Sequence, residues 1–190
     1  MSSPNAIAAR ATATPAMKHL STFTLATALL GAAVTGCAVP DLEPPAGETA
    51  LMTVFAHGVQ IHECRAAPGA TPVWTFVAPE ADLFDANGRR IGRHGAGPVW
   101  RHDDGSGFVG TVRSRVESPR PRAIAWLLLA AHPQGPDGAF ARVSSVQRLN
   151  TVGGQPPGFG CDTDTLGTRV RMAYRADYVL HAPRAERREG

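Results

Sequence analysis

The chain has 190 residues, 43% of them apolar, and a formal net charge of +3. That suffices for one domain with a sizeable core and excludes a disordered chain. All 16 acidic residues lie at Asp41 or later, and of the 19 basic residues only Arg10 and Lys18 precede them. The remainder is close to neutral, which argues against nucleic acid as a partner.

Residues 1–16, MSSPNAIAARATATPA, lack a hydrophobic core and read as an upstream start or an unstructured leader. From Met17 the pattern changes. Lys18 and His19 precede an apolar run to Val34, and small residues precede Cys37. This is the form of a secretory signal, too short to be read first as a membrane span. Val34-Thr35-Gly36-Cys37 resembles a bacterial lipobox, so residues 1–36 are expected to be removed and Cys37 to carry lipid. An ordinary signal peptide cut nearby is the alternative. Each buried CH₂ of an acyl chain contributes about 0.8 kcal/mol, so two or more chains anchor permanently. Ala38 resembles the residue found after the cysteine in lipoproteins sent on to the outer membrane.

Residues 37–50 contain three prolines and no apolar periodicity, and are expected to be a flexible tether. A β-rich domain is expected over 51–182, with a disordered tail over 183–190. Cys64 and Cys161 then remain. Export places them in an oxidising compartment, and a disulfide is the simplest expectation. Two buried thiols or a metal pair are the alternatives. Neither cysteine has a CxxC neighbour, which disfavours zinc.

The body reads as strands throughout. VQIHEC puts Val59 and Ile61 on one face and Gln60 and His62 on the other. Asn87-Gly88 between short runs signals a hairpin. AIAWLLLAA fits a strand buried on both faces or a short helix. VRMAYRADYVLHA alternates well. No long amphipathic helical pattern occurs. The expected fold is all-β: a single-domain antiparallel β-sandwich or barrel with long loops and at most short helices.

GVQIHECRA, FVAPEADLFDANGRRIGRHGAGPVW, DDGS, AIAWLLLAA, VQRLNTVGGQPP, GCD and YRADYVLH, in that order, resemble the exported family catalogued as the domain of unknown function numbered thirty-four fifty-five. The resemblance runs from about Val54 to His181. It implies a secreted protein of modest size and brings no mechanism. Some relatives carry names suggesting malate dehydrogenase, yet this chain has no GxGxxG and no βαβ pattern. It departs from the family pattern at Gly95, where an aromatic residue is typical, and at Arg101, where an acidic one is frequent.

RHGAGPVWRHDDGSG, from Arg93 to Gly107, is the densest polar stretch. His94, His102, Asp103 and Asp104, together with His57 or His62, are suitable metal ligands by type, but no HxH or HExxH spacing supports a metal site. The same residues suit turns and core packing. NTVGGQPPGFGCD is Gly-rich but lacks the lysine of a P-loop. The residues named as a candidate binding cleft are His94, Trp100, Asp104 and Asn150. The indole would stack on a ring and the other three would orient it. No cofactor and no metal is expected.

These features favour a lipid-anchored cell-envelope module that binds a glycan, a small molecule or a protein partner, with the membrane as its other partner. A periplasmic hydrolase or oxidoreductase, or a metal-binding protein, using His94 and nearby carboxylates is the alternative. No catalytic constellation supports an enzyme.

Overall fold

Alternation in the first strand sets the inside and outside of the molecule. Val54, Ala56, Gln60, His62 and Cys64 are buried, and the residues between them are at least partly exposed. Successive side chains of a strand point to opposite faces, so these residues line one face. The computed structural model describes residues 42–185. It contains β1 (Glu48–Arg65), β2 (Val73–Phe84), β3 (Arg90–Gly95), β4 (Val99–His102), β5 (Gly107–Val116), β6 (Trp126–Gln134), β7 (Ser145–Gly153) and β8 (Arg169–Pro183).

Each strand pairs antiparallel with the next, and β8 returns to pair with β1, so the eight strands form a closed up-and-down barrel. Of the two all-β architectures expected, the barrel is the one adopted. Closure removes both sheet edges. The AIAWLLLAA run becomes β6, with Leu127 to Ala131 of that strand buried, rather than a helix. Among the described residues the helical content is one 3₁₀ turn, Thr163–Thr165, capped by Asp162.

The Asn87-Gly88 hairpin joins β2 to β3. Gly88 has φ 75°, and the Asp85 carboxylate accepts from the backbone N–H of Asn87 and Arg89, both at 2.9 Å. A glycine suits this positive φ because a side chain there would be strained.

The ordered body begins before Leu51. Glu48, Thr49 and Ala50 pair with Pro183, Ala182 and His181, which extends the barrel at both chain ends. Gln147 Nε2 donates to the Leu42 carbonyl at 2.8 Å, so part of the expected tether lies along β7. The leader, the signal segment, Cys37 and residues 186–190 lie outside the described residues.

The core fills the half of the barrel nearest Glu48. Leu83, Phe108, Phe140, Val143, Val146 and Leu180 are all fully buried there. Phe140, in the β6–β7 loop, plugs that end and lies 5.8 Å from the Phe108 ring. The opposite end carries the β1–β2, β3–β4, β5–β6 and β7–β8 connections. The Cys64–Cys161 disulfide lies there, with a Cα–Cα distance of 5.3 Å, and ties the end of β1 to the β7–β8 loop.

Candidate functional site

Three aromatic rings lie side by side across adjacent strands. His94 of β3 is the register partner of Trp100 in β4, and Trp100 is that of Phe108 in β5. The imidazole stacks on the indole at 3.9 Å and 17°, and the phenyl ring lies 5.0 Å away at 15°. Tyr178 of β8 meets both His94 and Trp100 edge-on, at 5.5 and 5.2 Å. Offset and edge-on pairs of this kind are favoured by the ring quadrupoles. The indole, 1% exposed, is thus flanked by rings on both sides. Gly110 makes room for it: a Cβ at that position would lie 2.8 Å from Trp100 Cζ3.

His94 Nδ1 is 2.9 Å from the Val99 carbonyl. A carbonyl only accepts, so Nδ1 carries the proton and Nε2 is left as an acceptor. Burial lowers the His94 pKa from 6.5 to about 3, and the bond to Val99 opposes the shift. The unfolded chain takes up a proton near pH 6.5, whereas the folded imidazole stays neutral until about pH 3. The unfolded state therefore binds more protons in that window, and stability falls as pH falls through it. His62 and His181 are shifted down by burial too and add to the same slope. His94→Gln is expected to lose less stability than the natural protein between pH 7 and pH 4 in thermal unfolding. Equal losses in the two proteins would contradict this.

His94 and Trp100 of the candidate cleft come together, and the other two residues are engaged elsewhere. Asp104 sits in the β4–β5 turn near the plugged end. Its carboxylate accepts from Ala139 N–H at 2.8 Å, from Ser106 N–H at 2.8 Å and from the Ser106 hydroxyl at 2.6 Å. The Ala139 bond first, then the Ser106 hydroxyl, hold its pKa far below the usual carboxylate range. Asp104 thereby clamps the β4–β5 turn to the β6–β7 loop. Asp103 bonds to Arg90 at 3.0 Å. No hydrogen bond or ion pair joins either aspartate to His94. Asn150 forms a bulge in β7 with φ 51°, and its Nδ2 donates to Asp177 Oδ2 at 2.8 Å. Among the described residues no group of three or more His, Cys, Asp or Glu side chains is placed to hold a metal ion.

The open end of the barrel is more informative. A cavity of about 370 Å³ is lined there by Gln60, His62, Arg148 and Gln155, with Phe76 and Val112 at its apolar side. A deeper chamber of about 120 Å³ shares Gln60, Phe76, Val112, Leu127 and Arg148 with it and reaches His94, Trp100 and Tyr178. The two form one path from the mouth to the aromatic rings.

Backbone carbonyls of the β5–β6 loop hold the mouth in shape. Gln155 Nε2 donates to Ala123 O at 3.0 Å, Thr151 Oγ1 to Ile124 O at 2.5 Å, and Arg148 Nε and Nη2 to Ala125 O at 3.0 and 2.8 Å. Gly154, with φ 86°, bridges to Ala123 and brings its backbone against Ile124, Gln60 and Tyr174. A Cβ there would lie 2.9–3.0 Å from those three side chains.

Four residues along this path bury a polar atom that closes no full hydrogen bond: Gln60 Nε2, His62 Nδ1, Trp100 Nε1 and Tyr178 Oη, with the Tyr174 hydroxyl between Gln60 and Tyr178 and facing both. Of these, the candidate cleft included only Trp100, and His62 entered only as an additional metal ligand by type. The signal was present in β1. Val54, Ala56 and Cys64 fix the even positions as the inner face, and Gln60 and His62 share that parity.

Residues 45–182 match the pattern of the family described as Protein of unknown function (DUF3455). The chain belongs to the DUF3455 family. The matched span takes in all eight strands save the last residue of β8, so the DUF3455 domain and the barrel coincide. No curated protein and no solved structure matches the chain.

Proposed function

We propose that this protein is a ligand-binding barrel of the bacterial cell envelope. It takes up one small amphipathic molecule through the open end and is held at the membrane by lipid on Cys37. The observation that carries the binding half is the set of buried polar atoms around the cavity that close no full hydrogen bond, the clearest being Trp100 Nε1 and His62 Nδ1, with Gln60 Nε2 and Tyr178 Oη beside them. Folded proteins pair such groups, and each one left without a partner costs about 1–3 kcal/mol. A bound molecule with a few polar atoms, or water in its absence, supplies the missing partners. The surrounding Leu127, Leu129 and Phe76 favour an apolar body for that molecule. Largely apolar pockets with a few convergent polar groups are the common form of small-molecule sites. The confined interior favours a small molecule over a glycan chain or a protein partner.

The cavity is tested with the neutral fluorescent probe N-phenyl-1-naphthylamine. The mature protein is expected to bind it saturably at one site per chain. Val112→Trp, at a half-exposed position of the mouth, is expected to weaken binding without unfolding the barrel. No saturable binding, or binding unchanged by Val112→Trp, would overturn the reading. The anchor is tested by fractionation: Cys37→Ser should leave the membrane fraction, and a variant that stays there, processed as before, would refute the lipid.

A further inference from the structure

We infer that Arg148 is the seat of an anionic group, and that the barrel's ligand is a small carboxylate carrying one aromatic ring. The inference rests on the ligand-binding reading above and fixes the charge and size of the molecule. Arg148 follows the core residue Val146 on the inner face of β7 and lines both chambers. It is partly buried, and none of the ion pairs among the described residues includes it. By contrast Glu63, Glu80, Asp82 and Asp103 each pair with other arginines. A cation drawn into a barrel interior without a counter-charge is costly, and an incoming anion relieves that cost.

The guanidinium is already aimed. Nε and Nη2 both donate to the Ala125 carbonyl, which fixes the plane of the group. A guanidinium has five N–H donors. The two N–H groups of Nη1 and the second of Nη2 therefore remain, and they form the end-on fork that matches a carboxylate's two oxygens. Fixing the fork beforehand lowers the ordering cost of binding. Tyr178 is the cross-strand register partner of Arg148, on the same inner face, and its hydroxyl oxygen lies within reach of both Arg148 and the Tyr174 hydroxyl. Directly opposed side chains lie within reach of one another. The phenol thus offers a second donor beside the guanidinium.

The deeper chamber sets the size. Its volume of about 120 Å³ is bounded by Leu127, Leu129, Trp100 and Tyr178. An apolar cavity of about 150 Å³ holds benzene, so this chamber takes no more than one ring, with the adjoining outer cavity giving the remaining room. Phe76 and Val112, 51% and 52% exposed, form an apolar lip through which such a ring would enter.

The test is calorimetric titration with benzoate, phenylacetate and cinnamate, each against its own neutral amide. The best acid is expected to bind at least about tenfold tighter than its amide. In Arg148→Met that advantage should fall below about threefold, and Arg148→Lys should retain part of it. An amide bound as tightly as its acid would overturn the inference. So would an advantage that survives Arg148→Met. If acids and amides all fail while N-phenyl-1-naphthylamine binds, the carboxylate class is wrong and the barrel reading stands. If the neutral probe fails as well, both fall. Should Arg148→Met not fold, the acid–amide comparison in the natural protein and Arg148→Lys decide.

Discussion

Trp100→Ala is expected to destabilise the barrel by about 3–5 kcal/mol, the range for removing a large buried aromatic side chain. Trp100 is 1% exposed and ranks among the largest fully buried side chains. It joins β3, β4 and β5 through the rings of His94 and Phe108, and reaches β8 across the interior through Tyr178. β4 is the shortest strand, Val99–His102, and the indole is its main hold on the core. The cavity left by alanine has little prospect of collapse, because closed hydrogen-bonded ladders surround it. Urea unfolding of the two proteins measures the difference. A loss below about 1 kcal/mol would mean that the indole is not the centre of the packing.

Removing the disulfide is expected to cost a similar amount. Cys64 and Cys161 are 97 residues apart in sequence, and a cross-link over about a hundred residues stabilises by about 4–5 kcal/mol in the chain-entropy account. The Cys64→Ser, Cys161→Ser double variant should show this loss in denaturant unfolding. Its effect is expected to extend to the mouth. The pinned loop supplies Gln155 and Pro156 to the outer cavity, and its Phe159 carbonyl accepts from Trp74 Nε1 at 3.0 Å. The backbone pairs of Cys64 with Gly167 and Thr168, both at 2.9 Å, limit how far the loop can drift. A double variant as stable as the natural protein would show that these bonds alone secure the loop.

The strands and the hairpin were legible because their signals are local. Alternation marks a strand, and Asn87-Gly88 marks a turn. The pairing of Cys64 with Cys161 followed from the number of cysteines left after Cys37. Closure was not legible. It depends on β1 meeting β8, more than a hundred residues away in sequence, and no local pattern carries it. The interior site was hidden for the same reason. Gln60 and His62 read as the outer face of a strand when Val59 and Ile61 are taken for core residues. Only the wider run from Val54 to Cys64 reverses that assignment. Arg148 looks like any surface arginine until β7 is placed between β6 and β8. His94, Trp100 and Asp104 lie within the motifs that carry the family resemblance, and that pointed to a common cleft. The strand direction instead puts His94 and Trp100 in the interior and Asp104 at the turn beyond them.

The central claim is that the barrel interior is a ligand seat, and the most direct test is a crystal structure of the protein soaked with the tightest-binding acid from the titrations. Its ring is expected in the chamber bounded by Trp100, Leu127 and Leu129, and its carboxylate on the end-on fork of Arg148 beside the Tyr178 hydroxyl. A ligand bound only on the outer surface, with Arg148 still satisfied by the Ala125 carbonyl alone, would contradict it.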